Sequence, residues 1–397
     1  MKIGAFIAEY NPFHNGHLYA VEEFKKSRQI THTLAIMSGN YTQRGDFACA
    51  PKHIRAEAAI RSGVDLVVEI PTVWAMSTAR RFAYAGVKIA NSLGVVDELA
   101  FGSERGDIDL LKKVTDTLNT AETDELIGQF LKEGISFPAA REKALNEVLG
   151  DDSEILKNPN DILATEYIRA LNELQSDITP IAIKRYGCKH DGESTDEFFK
   201  SASEIRKLIT NDKDAQSYMP RQSSEVFRQA RATGRFPISI ENFEKEMLYC
   251  LRRMSPDDYL KLPDIGNEGL ENRIDAAVKQ STSFSELLFR VKSKRYPLSR
   301  IRRILMSAFI GLENVDIAEV PYIRILGLNE KGAEILKAAK DTSSLPFVIK
   351  YSDIGRLDEN AQRIFNMECR FTDIYSLAYS PLSPCGTEMT SNPVIIR

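Results

Sequence analysis

Residues 2–24 read KIGAFIAEYNPFHNGHLYAVEEF, and this stretch decides the fold. An apolar run, Lys2–Ala8, comes first, and from Leu18 onward apolar residues recur at helical spacing. The tetrapeptide HNGH, residues 14–17, lies between them. A strand that leads through a short loop into a helix is typical of the first unit of an α/β sheet. We therefore expect HNGH at the carboxyl end of the first strand, where such sheets bind ligands.

Apolar runs and amphipathic segments alternate through the rest of the first half. The predicted strands are Lys2–Ala8, Thr33–Met37, Leu66–Ile70, Glu98–Phe101 and Pro180–Lys184. The predicted helices between them include Pro51–Ser62, Ser77–Leu93 and Asp107–Leu118. Strands separated by helices long enough for crossovers predict an α/β fold, a Rossmann-like, doubly wound parallel sheet.

The pattern changes after about residue 220. Few strand patterns remain in residues 221–397, and the tail 380–397 looks irregular. The helical patterns there are Glu241–Met254, Ser283–Arg290, Ser299–Leu312 and Lys331–Lys340. We therefore expect two domains, an α/β domain at 1–220 with a helical insertion at about 121–149, and a mainly α-helical domain at 221–397.

The composition excludes several classes of protein. The chain has 397 residues, 43% of them hydrophobic, and a net charge of −4, so it has no global attraction to nucleic acid or to an anionic membrane. Its five cysteines include no CxxC pair, which argues against a disulfide framework or a thiolate zinc site. No uninterrupted apolar stretch suits a membrane span, and no signal peptide is recognisable. We expect a cytoplasmic protein without a membrane or DNA partner.

The HNGH tetrapeptide suits the chemistry of phosphates. Backbone N–H groups at a helix start attract phosphate, and Gly16 removes a Cβ that would block a nucleotide. His14 and His17, three residues apart, can both reach one phosphate cluster and stabilise a leaving pyrophosphate. Two alternatives remain for this stretch alone: half of a zinc site, which lacks a nearby third ligand, and a structural turn with incidental histidines.

HNGH after a first strand resembles the HxGH signature of the nucleotidylyltransferase superfamily. A second signature of that superfamily, S-x-T-x-I-R at a helix start, resembles SASEIR at residues 201–206, with serine in place of the usual threonine. Arg206 would bind the β- or γ-phosphate by a charge-assisted hydrogen bond. For Ser201 and Ser203, contact with phosphate and simple capping of the helix are both open.

A wider set of motifs is similar to the bacterial tRNA(Met) cytidine acetate ligase family. The motifs are EYNPFHNGH, MSGNYTQRGDFA, GVDLVVEIP, FGSE, NPNDILATEYIRAL and RYPLSRIRRIL. The resemblance implies an ATP-dependent ligase that forms acetyl-adenylate and pyrophosphate. The acetyl group then passes to N4 of the wobble cytidine of elongator tRNA(Met). Mg²⁺ is expected with ATP, although no dedicated metal site or carboxylate cluster is evident, and no redox cofactor is expected.

The same resemblance implies a set of site residues. His14, His17 and Arg206 would be catalytic. The implied ATP-binding residues are Ile7, Ala8, Glu9, Tyr10, Asn11, Pro12, Phe13, His14, Asn15, Gly16, His17, Leu18, Tyr19, Ala20, Gly102, Asn160, Arg185, Ser201, Ser203 and Arg206. Three of them have a structural alternative: Gly102 as a tight turn at a strand end, Asn160 as a helix N-cap and Arg185 as a solvated side chain.

Residues 292–303, KSKRYPLSRIRR, are the expected tRNA-binding segment. The segment is basic and contains no acidic residue, in a chain that is acidic overall. An aromatic within it could stack on a base. The alternative is a solvated helix start. The predicted tRNA-binding residues are Lys292, Lys294, Arg295, Tyr296, Arg300, Arg302 and Arg303.

Residues 37–48, MSGNYTQRGDFA, follow the second predicted strand and so belong to the same rim of the sheet. Ser38, Gly39, Gln43 and Arg44 could line an acetate pocket or receive the cytidine, and the sequence leaves the choice open. Two rival functions also remain. One is a small-molecule adenylyltransferase, and the other is a non-catalytic RNA-binding protein with a relic nucleotide fold.

Overall fold

The computed structural model describes residues 1–185, 198–313 and 319–397. Its strands are β1 Ile3–Ala8, β2 His32–Ser38, β3 Leu66–Ile70, β4 Glu98–Ser103, β5 Thr179–Lys184, β6 Ile323–Leu328, β7 Phe347–Val348 and β8 Val394–Ile395. All five strands expected in the first half are present. Cys188 lies outside the described residues, and the other four cysteines are free.

Helices flank the sheet and fill most of the second half of the chain. Up to residue 220 they are α1 Asn15–Arg28, α2 Lys52–Arg61, α3 Thr72–Ala75, α4 Ala79–Ser92, α5 Ile108–Leu118, α6 Ala121–Lys132, α7 Phe137–Leu149, α8 Pro159–Glu173 and α9 Ala202–Thr210. Beyond it they are α10 Arg221–Ala232, α11 Glu244–Arg252, α12 Pro256–Tyr259, α13 Leu270–Gln280, α14 Phe284–Val291, α15 Leu298–Ile310, α16 Glu330–Ala339, α17 Glu359–Tyr375 and α18 Thr387–Thr390. No helix of the described segments is long and apolar enough to cross a bilayer.

The sheet confirms the predicted Rossmann-like α/β fold. The strand order is β5-β4-β1-β2-β3-β6-β7, with β8 also paired to β6. Every pairing is parallel except that of β3 with β6. The inner order 3-2-1-4-5 is that of a doubly wound sheet, whose two halves meet between β1 and β4. Side chains alternate between two apolar layers, so that Ile3 and Ala5 face one layer and Phe6 faces the other.

Three strands of this sheet come from the second half of the chain, where the sequence shows few strand patterns. The strand β6 runs beside β3, and its Arg324 is fully buried. A buried charge in the middle of an apolar run obscures the strand pattern in the sequence. The expected helical insertion at 121–149 is occupied by α6 and α7, which share a small apolar cluster of their own. The division into domains at residue 220 stays a prediction.

A buried ion network holds the C-terminal tail to the sheet. The Lys52 ammonium lies 2.8 Å from Glu69 on β3 and 2.7 Å from Glu388 on α18. The Arg324 Nε donates to Glu388 at 3.3 Å. All four side chains are almost fully buried. Buried charges need such partners, and the tail, which looks irregular in sequence, is therefore ordered around Glu388.

Candidate active site at the switch point of the sheet

The strand order reverses between β1 and β4, and this reversal locates the site. Next to β1, β2 lies on one side and β4 on the other, so the loops that follow β1 and β4 leave in opposite directions. In open α/β sheets the resulting crevice, at the carboxyl ends of the strands, binds the ligand. Residues 9–20, named here the histidine segment, leave β1 at this crevice.

The two histidines of this segment are fixed by backbone hydrogen bonds. His14 is the N-cap of α1, and its Nδ1 accepts from the Gly16 N–H at 3.1 Å. The Nδ1 of His17 accepts from the His14 N–H at 3.2 Å. The two rings stack with centroids 3.7 Å apart. Because each Nδ1 is an acceptor, each neutral ring carries its proton on Nε2, and both Nε2–H groups are available as donors.

Burial keeps both rings neutral. Desolvation, with help from the cations Arg185 and Arg206, lowers the pKa of His14 to about 3. Burial, His14 and Arg185 hold the pKa of His17 well below its ordinary value. These effects on the pKa values arise because the guanidinium groups of Arg185 and Arg206 lie near the rings. The first turn of α1 is thus a positively charged, donor-rich surface that suits a polyphosphate.

Arg206 reaches the histidine segment directly from α9. Its Nη1 donates to the carbonyl of Asn11 at 2.7 Å. Ser201 caps this helix, since its Oγ accepts from the Glu204 N–H at 3.3 Å. The hydroxyls of Ser201 and Ser203 lie 3.1 Å apart. The capping role is therefore present in the structure, and contact of these hydroxyls with phosphate stays a prediction.

The other predicted residues of the site follow β4 and β5. A Cβ on Gly102 would lie 3.3 Å from Cγ of Arg185, so glycine leaves room for the arginine to cross β4. Asn160 is the second residue of α8 and not its N-cap, which is Asn158, so the N-cap alternative for Asn160 is wrong. The Nδ2 of Asn160 donates to Oε1 of Glu104 at 2.6 Å. Glu104, which sequence reasoning missed, thereby joins the end of β4 to α8.

The loop after β2 closes over the end of β1. The Gln43 backbone N–H donates to Oε1 of Glu9 at 2.8 Å. Arg55 donates to the carbonyls of Ser38 and Gly39 and to that of Glu9. The backbone of this rim is therefore held in place by side chains of the histidine segment and of α2. No group of three His, Cys, Asp or Glu side chains in the described parts of the chain could hold a metal ion.

Residues 292–303, named here the basic segment, use many of their charges inside the protein. Arg303 is buried and donates to Asp264 at 2.6 Å, while Arg302 contacts Asp46 at 3.3 Å. Tyr296 is only 7% exposed, which leaves no face for stacking on a base. The structure thereby narrows the predicted tRNA-binding set. The exposed members are Lys292, Lys294 and Arg295.

Comparisons with known proteins identify the family to which this chain belongs. The model of the family described as HIGH Nucleotidyl Transferase matches residues 1–388. A Thermoanaerobacter sp. (strain X514) protein named tRNA(Met) cytidine acetate ligase is 39% identical, over 98% of each chain. One of the same name from Acetivibrio thermocellus is 36% identical over the full length of both. The chain belongs to the tRNA(Met) cytidine acetate ligase family.

Solved structures of this family have the same fold. Thermotoga maritima TmcAL bound with alpha-thio ATP superposes with a TM-score of 0.94 over 100% of both chains, at 32% identity. Its apo form gives a TM-score of 0.96. Family membership and the Rossmann-like architecture, both expected from the sequence motifs, are confirmed.

Proposed function

We propose that this chain is an ATP-dependent ligase that acetylates N4 of the wobble cytidine of elongator tRNA(Met). One observation carries the proposal: two neutral histidines stack at the first turn of α1, at the switch point of the sheet, with Arg185 and Arg206 beside them. The names of the relatives and the ATP analogue bound to the Thermotoga maritima protein support it.

The first chemical step is activation of acetate. An acetate oxygen attacks the α-phosphorus of ATP, the bond to the bridging oxygen of pyrophosphate breaks, and acetyl-adenylate remains. The Nε2–H groups of His14 and His17 donate to phosphate oxygens on which charge develops, and Arg206 neutralises the leaving pyrophosphate. Mg²⁺ accompanies ATP through the phosphates, because the described residues offer it no cluster of carboxylates.

In the second step the cytidine N4 attacks the acetyl carbonyl carbon. The C–O bond to AMP breaks, N4 loses a proton, and N4-acetylcytidine forms. Activation of the acid comes first because this amine is a poor nucleophile. The tRNA backbone is contacted by the exposed residues of the basic segment, Lys292, Lys294 and Arg295. The enzyme acts in the cytoplasm.

The decisive experiment is ATP–pyrophosphate exchange with purified protein and no tRNA. Acetate, formate, propionate and no acid are compared, and acetate is expected to support exchange best. Addition of elongator tRNA(Met) is then expected to yield N4-acetylcytidine and AMP. Absence of exchange with every acid, both with and without tRNA, would overturn the ligase function in favour of an adenylyltransferase or an RNA-binding protein.

A further inference from the structure

A small cavity lies beside Arg206. Its volume is about 120 Å³. Three parts of the chain line it: the loop after β2, the helix α9 and the loop between α10 and α11. The lining residues are Asp46, Phe47, Cys49, Arg206, Lys207, Ile209, Thr210, Pro237, Ile238 and Ser239.

The walls of the cavity combine apolar and polar side chains in equal number, and its one carboxylate is Asp46. Phe47, Ile209 and Ile238 are nearly fully buried. Burial raises the pKa of Asp46, against the opposing effect of Arg302 and Arg206. A pocket that combines apolar walls for a ring with a few polar groups for its edge is the arrangement that recognises an unstacked base.

The backbone around Asp46 is fixed. Its carbonyl accepts from the Thr42 N–H at 2.9 Å, and its Oδ1 accepts from the Phe47 N–H at 2.9 Å. Gly45 has φ +72°, and a Cβ there would overlap the backbone of Arg302 and Arg303. The loop therefore packs directly on the basic segment, and Asp46 lies between that segment and Arg206.

We propose that this cavity receives the cytosine of the acceptor nucleotide and that Asp46 accepts a hydrogen bond from its exocyclic N4 amine. The proposal rests on the function proposed above. A carboxylate is the acceptor that pairs with cytosine N4–H, whereas the O4 of uracil is itself an acceptor and would be repelled. Acetate is a poor occupant, because it would bring a second carboxylate beside Asp46. Arg206 lines the cavity and also donates to Asn11, so one side chain joins the cavity to the histidine segment.

The test compares binding of two anticodon stem-loops that differ only in cytidine or uridine at the wobble position, by fluorescence anisotropy. The wild-type chain is expected to prefer the cytidine stem-loop by about ten- to a hundredfold. Asp46→Asn is expected to abolish this preference, because its amide can donate to the O4 of uracil as well as accept.

Asp264→Asn is the matched control. Asp264 contacts Arg303, the residue that follows Arg302 on α15. It does not line the cavity. This variant is expected to retain the preference for cytidine. A retained preference in folded Asp46→Asn protein, or equal binding of both stem-loops by the wild type, would overturn the proposal.

The two proposals fail separately. Acetate-dependent exchange without tRNA tests the ligase function and involves no base. If exchange fails while Asp46→Asn loses the cytidine preference, base recognition stands and the ligase function falls. If exchange succeeds while Asp46→Asn keeps the preference, the ligase function stands and the cavity is not the base site.

Discussion

The histidine segment and the basic segment both concentrate positive or polar groups, but the fold uses them in opposite ways. In the first, backbone N–H groups occupy the Nδ1 atoms and leave both Nε2–H groups available. In the second, arginines are turned inward onto carboxylates, as Arg303 is onto Asp264. A motif at a helix start keeps its donors for a ligand because the backbone holds the side chains. In a run of charges, several side chains form ion pairs within the protein.

The largest effect that would separate the two segments is expected from His17→Ala. Loss of one oriented donor to the developing charge is expected to lower acetate-dependent ATP–pyrophosphate exchange by at least about a hundredfold. Affinity for tRNA, measured in parallel, is expected to stay near that of the wild type. His32→Ala is the control, because the His32 ring lies at the amino end of β2, where it hydrogen-bonds Thr31 and Glu334. Unchanged exchange in His17→Ala would remove the catalytic role.

Replacing Lys292, Lys294 and Arg295 together by alanine is expected to weaken tRNA binding and to leave acetate activation unchanged. Exchange without tRNA should persist, while tRNA affinity falls and the slope of log K against log salt concentration becomes shallower by about 2. The measurement is tRNA binding across a salt series. A matched triple, Lys331, Lys337 and Lys340 on and just after α16, removes the same charge at the opposite end of the sheet and should leave the slope unchanged. An equal slope for both triples would contradict the assignment of the exposed basic residues.

Arg303→Ala is expected to affect stability rather than binding. The side chain is buried, and its removal leaves the Asp264 carboxylate without its charged partner. Urea denaturation should show a free energy of unfolding lower by about 2–3 kcal/mol. Arg295→Ala, which removes a half-exposed arginine paired with Glu268, should cost under about 1 kcal/mol. A change in salt dependence of tRNA binding without loss of stability would show that Arg303 faces the RNA.

Sequence patterns predicted the strands β1 to β5 and the position of the HNGH tetrapeptide, because these depend on local periodicity and on the order of strands. They missed β6, whose apolar run contains the buried Arg324, since its partner Glu388 is distant in sequence. They also missed the order of the C-terminal tail for the same reason. Local patterns predict which face of a helix or strand is apolar. They do not predict which charged side chains form ion pairs with each other.

The same difference between short-range and long-range contacts decides which parts of the candidate site could be predicted. The capping geometry of His14 and Ser201 follows from residues within four positions of each other, and the motifs were sufficient to locate it. The contact of Asn160 with Glu104 and the position of Asp46 at a cavity arise from elements far apart in the chain. The basic composition of residues 292–303 likewise gave no sign that Tyr296 is buried.

The smallest effect expected is the share of His14 in the pH dependence of stability, to which the buried His53, with its pKa lowered to about 4, also contributes. The folded chain holds the pKa of His14 at about 3, below its ordinary value, so between those pH values the unfolded chain binds more protons. Stability should therefore fall as the pH drops from 7 to 5, with His14 contributing about 1–2 kcal/mol. His14→Gln should make the melting temperature less dependent on pH over this range, and His32→Gln should not. Saturating ATP should also reduce the dependence, because phosphate beside the ring favours its protonated form and so raises its pKa. An equal dependence in wild type and His14→Gln would show that the ring is solvated and not held among the cations of the site.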